Sequence, residues 1–526
     1  MKTGVFETLF PPPGKTARED TAAVMKFYKL PQSFPAAVIK EARHVSEALG
    51  KPGKRIDLRK KFIFTCDPQS ARDYDDALSL ETDRYGNRVL GVHIADVSHF
   101  VRPGSAIDRE AYKRSTSVYL CDRVIPMLPE ELSNGVCSLV PGEDRLAFSV
   151  FMTFDKSGEM IKRSFAKSII KSKARFTYEQ VMKVISGGDA PKVGKRELKI
   201  IRQLSQLAQQ LRERRFSAGA LDLEVPEVEV ILDDSGEMTG LVSRPYDESH
   251  QMIEECMVSA NEAVAKELWT RGVKILARLH APPDPEKLLM LRAEMRGLGI
   301  KMGNIENPKV FANFLKSIKS NPLYPTLAMM ILRSMKKAVY DSTEIGHFGL
   351  AKKYYAHFTS PIRRYPDLTL HRQLTEYLTG GKGKVPPKLL ARWAEHTSER
   401  EQIAADAERG LLEIKKYRLL EDEINSRSPV EYRAVISKCT PFGCFVEIPD
   451  LAVSGLVHVS LLSNKFVRFN ESDMSLSAPG GGSWKIGDVM KVVIAKVDFQ
   501  QRKLDFAPVR ESLRSIRKNA RRTFRS

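Results

Sequence analysis

The stretch that decides the fold reads FIFTCDPQSARDYDDALSL, residues 62–80. An apolar run rich in β-forming residues ends at Asp67-Pro68, a turn signal, and a second apolar run begins at Ala77. The loop between the two predicted strands therefore carries four carboxylates, those of Asp67, Asp73, Asp75 and Asp76.

The four aspartates predict a cation site. Carboxylates gathered on one loop repel one another at short range, and a divalent cation or several arginines would offset that repulsion. Oxygen ligands favour Mg²⁺ or Mn²⁺ over Zn²⁺. Solvated charge on a surface loop is the alternative interpretation. The apolar flanks argue against it, because they place the loop at the ends of buried strands.

The pattern D-x5-D-x-D-D followed by A-L-S-L resembles the aspartate signature of the ribonuclease II/ribonuclease R (RNB) family of exoribonucleases, and this sequence meets it in full. The resemblance implies that Asp67, Asp73, Asp75 and Asp76 hold two metal ions and that Asp75 is catalytic. It also implies an α+β fold, in which a mixed RNB catalytic domain (residues 60–427) is followed by an all-β barrel.

The composition is that of a basic globular protein. The chain has 526 residues, 42% of them hydrophobic, and a net charge of +19. Such a surface attracts polyanions, usually nucleic acid, although charge alone does not separate RNA from DNA or an acidic membrane. Six scattered cysteines without a C-x-x-C pair predict reduced thiols in a cytoplasmic protein. No apolar stretch is long enough for a membrane span or signal core.

Residues 1–59 are predicted to form an N-terminal segment and connector. A helical pattern from Ala36 to Leu49 is followed by the linker-like sequence GKPGK, residues 50–54. Residues 30–35 resemble the connector that precedes the catalytic domain in RNB proteins, and the cold-shock domains usually found ahead of it have no counterpart here. The chain is therefore expected to be a natural short form or a trimmed piece.

A β-hairpin is predicted directly after the aspartate loop. Its strands, Ala77–Glu81 and Val89–Val97, flank the turn sequence RYGN at residues 84–87. The second strand carries His93, Asp96 and His99, which alternate along the strand and do not all share a face. A structural role is predicted for them rather than metal binding.

Two tyrosines are candidates for RNA contacts. Residues 116–129 resemble the family's T-x-V-Y…I-P-M-L-P stretch, in which Tyr119 would stack on the base near the scissile phosphate. Stacking suits a nuclease that accepts every base, since every base has a π-face. Residues 175–178 resemble a segment whose tyrosine, here Tyr178, contacts ribose. Without the resemblance, Tyr119 would be interpreted as a core or surface aromatic.

Apolar spacing predicts a core helix over residues 196–215, a strand at 219–224 and a second helix from Met252 to Trp269. The start of the second helix resembles the family's I-E-E-C-M element. The resemblance implies that Glu255 hydrogen-bonds a ribose 2′-hydroxyl, a contact that would separate RNA from DNA. The alternative is a generic helix-start glutamate favoured by the helix dipole.

The sequence TSPIRRYPD at residues 359–367 resembles the family motif T-S-P-I-R-R-Y-x-D-L. Ser360-Pro361 predicts a helix start, with Arg363 and Arg364 in the first turn facing a phosphate. The resemblance assigns Arg363 to transition-state stabilisation and adds Arg364 as an RNA contact. A long charged helix, residues 391–427, carries an A-E-R element that places Glu408 near the active centre. An ordinary helix ion pair is the alternative for Glu408.

From about residue 428 the pattern changes to five short strands, which predict a small barrel. Three short motifs within residues 440–488 resemble the S1-like OB fold, over a domain of residues 428–510. The resemblance implies a base-stacking platform made of Phe442, Phe445 and His458, although such rings can also fill a barrel. Residues 511–526 are predicted to be a basic tail that adds affinity for phosphates.

The resemblance as a whole implies a processive, Mg²⁺-dependent 3′-to-5′ exoribonuclease that hydrolyses single-stranded RNA to nucleoside 5′-monophosphates in RNA turnover. A cytoplasmic monomer is expected, with RNA-decay or ribosome-linked factors as candidate partners. An RNA-binding protein with an inactive RNB domain is the alternative, but such a protein would be expected to lose one of the four aspartates. A DNA exonuclease would share the metal ions but tolerate loss of the 2′-hydroxyl.

Overall fold

A computed structural model describes residues 13–47, 53–190, 193–223, 228–243, 246–321, 323–425, 429–471, 473–480 and 482–509. In these ranges a mixed helix-and-strand region is followed by a strand-rich barrel, so the predicted α+β class is confirmed. None of the helices described is both long enough and apolar enough to cross a lipid bilayer.

Two helices precede the first sheet: α1 (Ala17–Phe27) and α2 (Ala36–Glu47). The side chain of Thr16 caps α1 by accepting a hydrogen bond from the backbone N–H of Glu19, which is free at a helix start. The predicted helix from Ala36 is confirmed as far as Glu47.

Nine strands follow between residues 56 and 176. They are β1 (Ile56–Asp57), β2 (Phe64–Cys66), β3 (Asp76–Thr82), β4 (Arg88–Ala95), β5 (Val118–Leu120), β6 (Arg123–Ile125), β7 (Asp144–Phe154), β8 (Met160–Lys171) and β9 (Ala174–Phe176). Seven of them form one sheet in the order β1-β8-β7-β4-β3-β2-β9, and β5 pairs with β6 in a separate hairpin. The aspartate loop is thus the connection between the neighbouring strands β2 and β3.

The predicted β3–β4 hairpin is confirmed, with antiparallel pairing from Asp76↔Ile94 to Thr82↔Arg88. Strand β4 lies in the middle of the sheet and is buried along its second half. The buried ring of His93 therefore finds partners on both neighbouring strands, Ser79 at 2.9 Å and Ser149 at 2.7 Å. Asp96 forms an ion pair with Arg55 at 2.7 Å. The contacts of His93 and Asp96 are those of structural residues, in agreement with the prediction.

The helices that follow α2 in this region are α3 (Val97–Phe100), α4 (Ala106–Arg114), α5 (Tyr178–Ile185), α6 (Lys195–Ser217), α7 (Glu248–Thr270), α8 (Pro285–Gly297), α9 (Pro308–Ile318), α10 (Tyr324–Ser334), α11 (Tyr365–Leu378) and α12 (Pro387–Asn425). Helix α6 buries Leu198, Ile201, Leu204 and Leu207, which have the spacing predicted for a core helix. It packs against α7, which contributes thirteen buried residues, from Ser249 to Leu268.

The strand predicted at residues 219–224 is wrong for its described part, since residues 219–223 form no strand. Gly219 instead has a φ of +107° and follows the end of α6, where its N–H donates to the carbonyl of Phe216. An added Cβ there would lie 3.0 Å from Pro308 and Lys309, so the chain passes too close to α9 for a larger residue.

Two small two-stranded sheets complete this part. One joins β10 (Val228–Leu232) to β11 (Met238–Ser243), and the other joins β12 (Ala277–Leu279) to β13 (Val339–Asp341). Neither was predicted. In the second pair, 59 positions separate the end of one strand from the start of the next, too far apart for a local pattern to reveal the pairing.

The C-terminal barrel is closed by five strands: β14 (Tyr432–Thr440), β15 (Gly443–Ile448), β16 (Val453–His458), β20 (Val489–Asp498) and β21 (Lys503–Pro508). The five predicted strands are confirmed. Between β16 and β20 lie helix α13 (Val459–Leu462) and an unpredicted sheet of β17 (Arg468–Asn470), β18 (Ser475–Ala478) and β19 (Gly482–Trp484). The predicted basic tail lies outside the described residues.

Helix α12 connects the barrel to the catalytic half. Its middle packs Ala407 and Leu411 against Val118 and Leu120 of the β5–β6 hairpin. Its last part places Leu420 in the core of the barrel. One continuous helix of 39 residues therefore contacts both functional regions of the molecule.

Candidate active site

A cavity of about 1140 Å³ opens where the aspartate loop, the β5–β6 hairpin, the segment before α11 and the middle of α12 meet. Eight of the predicted site residues line it: Asp67, Asp73, Asp75, Asp76, Tyr119, Tyr178, Arg363 and Glu408. These side chains come from positions up to 341 residues apart in the sequence. The fold thus gathers two separate sequence motifs and three further predicted residues into one site.

The aspartates are partly withdrawn from water. Burial raises the pKa of Asp67 to about 7, and the neighbouring charges of Asp75 and Asp73 act in the same direction. Burial, with the charge of Asp67, also raises the pKa of Asp76 to about 7. The buried Oδ2 of Asp67 has no hydrogen-bond partner. These carboxyls therefore have less positive charge and fewer donors around them than their ionised forms require.

This arrangement fits a hard divalent cation that shares its coordination with a substrate. Within the described ranges, no three His, Cys, Asp or Glu side chains form a ready metal cage. Mg²⁺ does not require one, because it is usually held by one or two carboxylates together with water and substrate phosphates. The unpartnered oxygen of Asp67 is the type of ligand that such an ion prefers.

Asp75 links the aspartate loop to the segment before α11. Its Oδ1 accepts a hydrogen bond of 2.9 Å from the backbone N–H of Ile362, and its Oδ2 lies 3.6 Å from Nε of Arg363. Burial raises the pKa of Asp75 well above its ordinary value, while the charge of Arg363 and the bond from Ile362 oppose that rise. Asp75 therefore contacts the proposed catalytic arginine directly.

The arginines occupy a different local structure from the one predicted. Helix α11 begins at Tyr365, so Arg363 lies in the turn ahead of it and Arg364 is the extended N-cap residue. Proline is favoured in the first turn of a helix, where no N–H is needed. In this segment Pro366, and not Pro361, occupies that position. The side chain of Arg363 is 43% exposed and lines the cavity.

Two residues predicted to contact RNA, Arg364 and Glu255, each have an ion-pair partner within the protein. The guanidinium of Arg364 donates hydrogen bonds of 2.9 and 2.8 Å to the carboxylate of Asp367. Glu255 is 1% exposed and accepts two bonds from Nε of Arg215, at 3.0 and 3.2 Å. Neither residue lines the cavity. Each charge is therefore already paired within the protein, at 18% side-chain exposure for Arg364 and 1% exposure for Glu255, and their predicted contacts with RNA stay predictions.

Tyr119 and Glu408 are joined by a hydrogen bond. The ring of Tyr119 is 41% exposed on β5, and its backbone N–H donates a bond of 2.8 Å to Oε1 of Glu408 on α12. Burial raises the pKa of Glu408, and the bond from Tyr119 opposes that rise. Glu408 is therefore not a simple helix ion pair. It fixes the strand that presents the tyrosine to the cavity.

Tyr178 has a stacking partner that the sequence did not reveal. The ring of Tyr178 is stacked on that of His250, with centroids 3.9 Å apart and planes 10° apart. His250 is held in turn by Asp247, whose Oδ1 lies 2.9 Å from the Nδ1 atom. Arg72 and Arg409 also line the cavity and were not predicted. The available sequence signals were the adjacency of Arg72 to Asp73 and the position of Arg409 beside Glu408 in the A-E-R element.

The three predicted aromatic residues of the barrel lie close together. Phe442 is 50% exposed, and its ring centroid is 6.0 Å from that of Phe445. His458 pairs in register with Gly443, which immediately follows Phe442. These residues form a partly exposed aromatic face that is separate from the lining of the catalytic cavity.

Comparison with known proteins agrees with this architecture. The RNB domain family matches residues 55–380, and the S1 RNA binding domain family matches residues 431–507. The chain is 41% identical to ribonuclease R of Thermotoga maritima over 94% of its own length and 71% of that protein. It superimposes with a TM-score of 0.85, at 28% identity, on Mycoplasma genitalium RNase R in complex with ribose methylated single-stranded RNA, covering 94% of this chain and 78% of that one.

These matches show that the chain belongs to the RNB family and carries a C-terminal S1 domain. Within that family its relatives are ribonucleases R, and it is accordingly a 3′-to-5′ exoribonuclease, as predicted. Enzymes of this kind are metal-dependent nucleases.

The fold by itself does not establish activity. A yeast pseudonuclease, Ssd1, shares it with a TM-score of 0.67 at 21% identity, covering 80% of this chain and 52% of that protein. The present chain has all four aspartates of the signature, and they line one cavity. The predicted alternative of an inactive RNB domain is therefore not favoured.

Proposed function

We propose that this protein degrades single-stranded RNA processively from its 3′ end and releases nucleoside 5′-monophosphates in a Mg²⁺-dependent reaction. The observation that carries the proposal is the common cavity of the four aspartates, Arg363 and Tyr119. Carboxylates suit a metal ion, guanidinium suits a phosphate and an exposed aromatic ring suits a base.

Asp67, Asp73, Asp75 and Asp76 would hold two Mg²⁺ ions, with Mn²⁺ as a substitute. When bound, such ions supply an activated water and stabilise charge on the oxygens of the attacked phosphate. The fit rests on the unpartnered Oδ2 of Asp67 and on burial that leaves the carboxyls short of positive charge.

The remaining residues bind and orient the RNA. Arg363 contacts the phosphate, where a preorganised cation stabilises the charge that develops in the transition state. Tyr119 stacks on the terminal base, and Glu408 holds the backbone of Tyr119 in place. Tyr178, held by His250, faces the ribose. Together these contacts keep the terminal nucleotide in the attack geometry.

The S1 barrel would retain the upstream part of the same RNA. Stacking on Phe442, Phe445 and His458 is tolerant of sequence, which suits an enzyme that moves along its substrate. A strongly basic surface adds affinity for phosphates that decreases with salt. We expect a monomer acting in the cytoplasm, and light scattering of the purified protein tests the oligomeric state.

The decisive experiment follows 5′-labelled single-stranded RNA over time, with Mg²⁺ or with EDTA, and resolves the product lengths. We expect metal-dependent shortening from the 3′ end to a very short 5′ product, without long intermediates. A matched DNA oligonucleotide should remain intact. Intact RNA under both conditions would contradict the proposal, and equal degradation of DNA would contradict the RNA specificity.

A further inference from the structure

The segment that carries the catalytic arginine is a closed turn, residues 360–364, called here the arginine turn. The N–H of Arg364 donates to the carbonyl of Ser360 at 3.0 Å, which closes the turn. The middle of the turn is attached to the aspartate loop by the 2.9 Å bond from Ile362 to Asp75. A turn outside regular structure needs such contacts to hold one conformation.

The two ends of the arginine turn are joined by a single carboxylate, that of Asp367. Its Oδ1 accepts a 2.8 Å bond from the backbone N–H of Ser360, the first residue of the turn. The same carboxylate accepts two bonds, of 2.9 and 2.8 Å, from the guanidinium of Arg364, the last residue. Asp367 is 0% exposed, so water does not compete for these charge-assisted bonds.

Arg363 lies between these two anchored residues. Its NH2 group donates a 3.1 Å bond to Oγ of Ser360, and its Nε is 3.6 Å from Oδ2 of Asp75. The position of the guanidinium therefore depends on where the backbone of Ser360 is held. That backbone is held by Asp367.

We infer that Asp367 is a positioning residue for Arg363, which it orients toward the scissile phosphate by fixing both ends of the arginine turn. Asp367 does not line the cavity. The inference rests on the proposed catalytic role of Arg363. A displacement of about 1 Å in a catalytic group can lower the rate by about a hundredfold.

A purely structural role for Asp367 makes a different prediction. An aspartate in the first turn of a helix is stabilising because it complements the helix dipole, whatever the helix carries. Its loss would then lower the stability of the protein but leave the kcat of the folded molecules unchanged. The positioning role predicts a lower kcat when Asp367 is replaced, and only while Arg363 is present. The purely structural role predicts an unchanged kcat.

The test is a double-mutant cycle of wild type, Asp367→Asn, Arg363→Ala and the double variant, with cleavage of single-stranded RNA measured under single-turnover conditions and at steady state. Asparagine keeps the volume and an acceptor for Ser360 but removes the charge that pairs Arg364. We expect Asp367→Asn to lower kcat by about tenfold to a hundredfold with KM within about twofold. In the Arg363→Ala background it should have no further effect on the rate.

The chain offers a matched control in Asp20. This carboxylate is also 0% exposed, accepts two bonds from the guanidinium of Arg418 and accepts a backbone bond of 2.7 Å from Gly14. It does not line the cavity. Asp20→Asn should lower the melting temperature as Asp367→Asn does, while its kcat remains that of wild type.

The inference would be overturned if folded Asp367→Asn had the kcat of wild type. It would also be overturned if the rate decreases of Asp367→Asn and Arg363→Ala multiplied in the double variant. A normal rate in Arg363→Ala would instead refute the proposed role of Arg363, which is a separate result. If circular dichroism shows that Asp367→Asn does not fold, Arg364→Lys replaces it, since lysine loses the two-pronged bond and leaves Asp367 in place. It should lower kcat in wild type but not in Arg363→Ala, and failure to do so overturns the inference.

Discussion

The catalytic cavity and the aromatic face of the S1 barrel, which we propose to contact the same RNA, carry opposite kinds of side chain. In the cavity the decisive groups are charged and largely buried, as in Asp75 at 5% exposure. On the barrel they are aromatic and open to solvent, as in Phe442 at 50% exposure. Chemistry on a phosphate requires fixed charges in a dry site, whereas sequence-tolerant binding requires ring faces that a base can reach.

The two regions also differ in how they are assembled. The barrel face comes from one hairpin and the adjoining strand, within 17 consecutive residues, 442–458. The cavity draws on the aspartate loop, β5, α5, the arginine turn and α12. Asp75, Tyr119 and Tyr178 each have a partner from another element. Damage to the cavity should therefore be severe and specific to chemistry, whereas damage to the barrel should be mild and specific to binding.

Asp75→Asn should have the largest effect. The substitution keeps the acceptor for the Ile362 N–H but removes the charge opposite Arg363, and we expect kcat to fall on the order of a thousandfold. RNA affinity, measured in EDTA by fluorescence anisotropy, should change little. Asp83→Asn in the β3–β4 turn is the control and should cleave normally. Loss of RNA binding along with cleavage would show that Asp75 is needed for the fold rather than for chemistry.

Tyr119→Ala should have an intermediate effect. The ring lies in the catalytic cavity, but its proposed contribution is stacking on a base and not a charge on the reacting phosphate. Stacking of one base contributes about 1 to 3 kcal/mol, so KM should rise about tenfold with a smaller decrease in kcat. Tyr119→Phe should be close to wild type, since it retains the π-face. If Tyr119→Phe had the same KM and kcat as Tyr119→Ala, the effect would come from the phenol hydroxyl and not from stacking.

Phe442→Ala should have a smaller effect that depends on substrate length. We expect an RNA long enough to reach both regions to bind about fivefold more weakly, while an RNA short enough for the cavity alone is unaffected. The control is Tyr85→Ala, which removes an aromatic ring that is 70% exposed on the β3–β4 hairpin. Equal weakening for short and long RNA would show that the barrel acts on the cavity rather than on upstream RNA.

The smallest expected effect is on the pH dependence of the free energy of unfolding. This dependence tests the catalytic cavity and not the barrel. The pKa values of Asp67 and Asp76 are raised to about 7 in the folded protein, from an ordinary value of 3.8. Between these values the folded state binds more protons than the unfolded state, so the free energy of unfolding increases as the pH falls through this window.

We therefore expect the melting temperature of the metal-free protein in EDTA to rise as the pH is lowered from about 8 to about 6. The rise should be smaller in Asp67→Asn, which removes one titrating group and its repulsion of Asp76. Other groups, such as the buried His93, are common to both proteins and cancel in the difference. Equal pH profiles would show that the cavity carboxyls are well solvated.

Much of the barrel and of the aspartate site was predictable because the signals are local. Alternation with a period of two residues identifies a strand, and turn residues mark its ends, so all five barrel strands and the β3–β4 hairpin were identified. The four aspartates lie within ten positions, three of them on one loop and Asp76 at the start of β3. Any fold that buries the flanking strands must place them together.

The start of α11 was misplaced because two prolines, Pro361 and Pro366, give the same local signal. The bridge between Thr116 and Arg364 keeps Arg364 itself extended, so the helix begins only after it, and this contact spans 248 positions. The partner of Glu255 was missed for a similar reason, since Arg215 lies on another helix, 40 residues away. A charge that the sequence leaves unpaired is interpreted as available to a ligand.

The sequence by itself determined the composition of the active site, the order of the two domains and the class of chemistry, because these depend on residue types at short spacing. The tertiary structure alone decided which charges face the cavity and which are neutralised inside the protein. Arg363 and Arg364 are neighbours in the same motif, yet one lines the cavity and the other is paired with Asp367. Side-chain direction and burial depend on distant partners, and no local pattern specifies them.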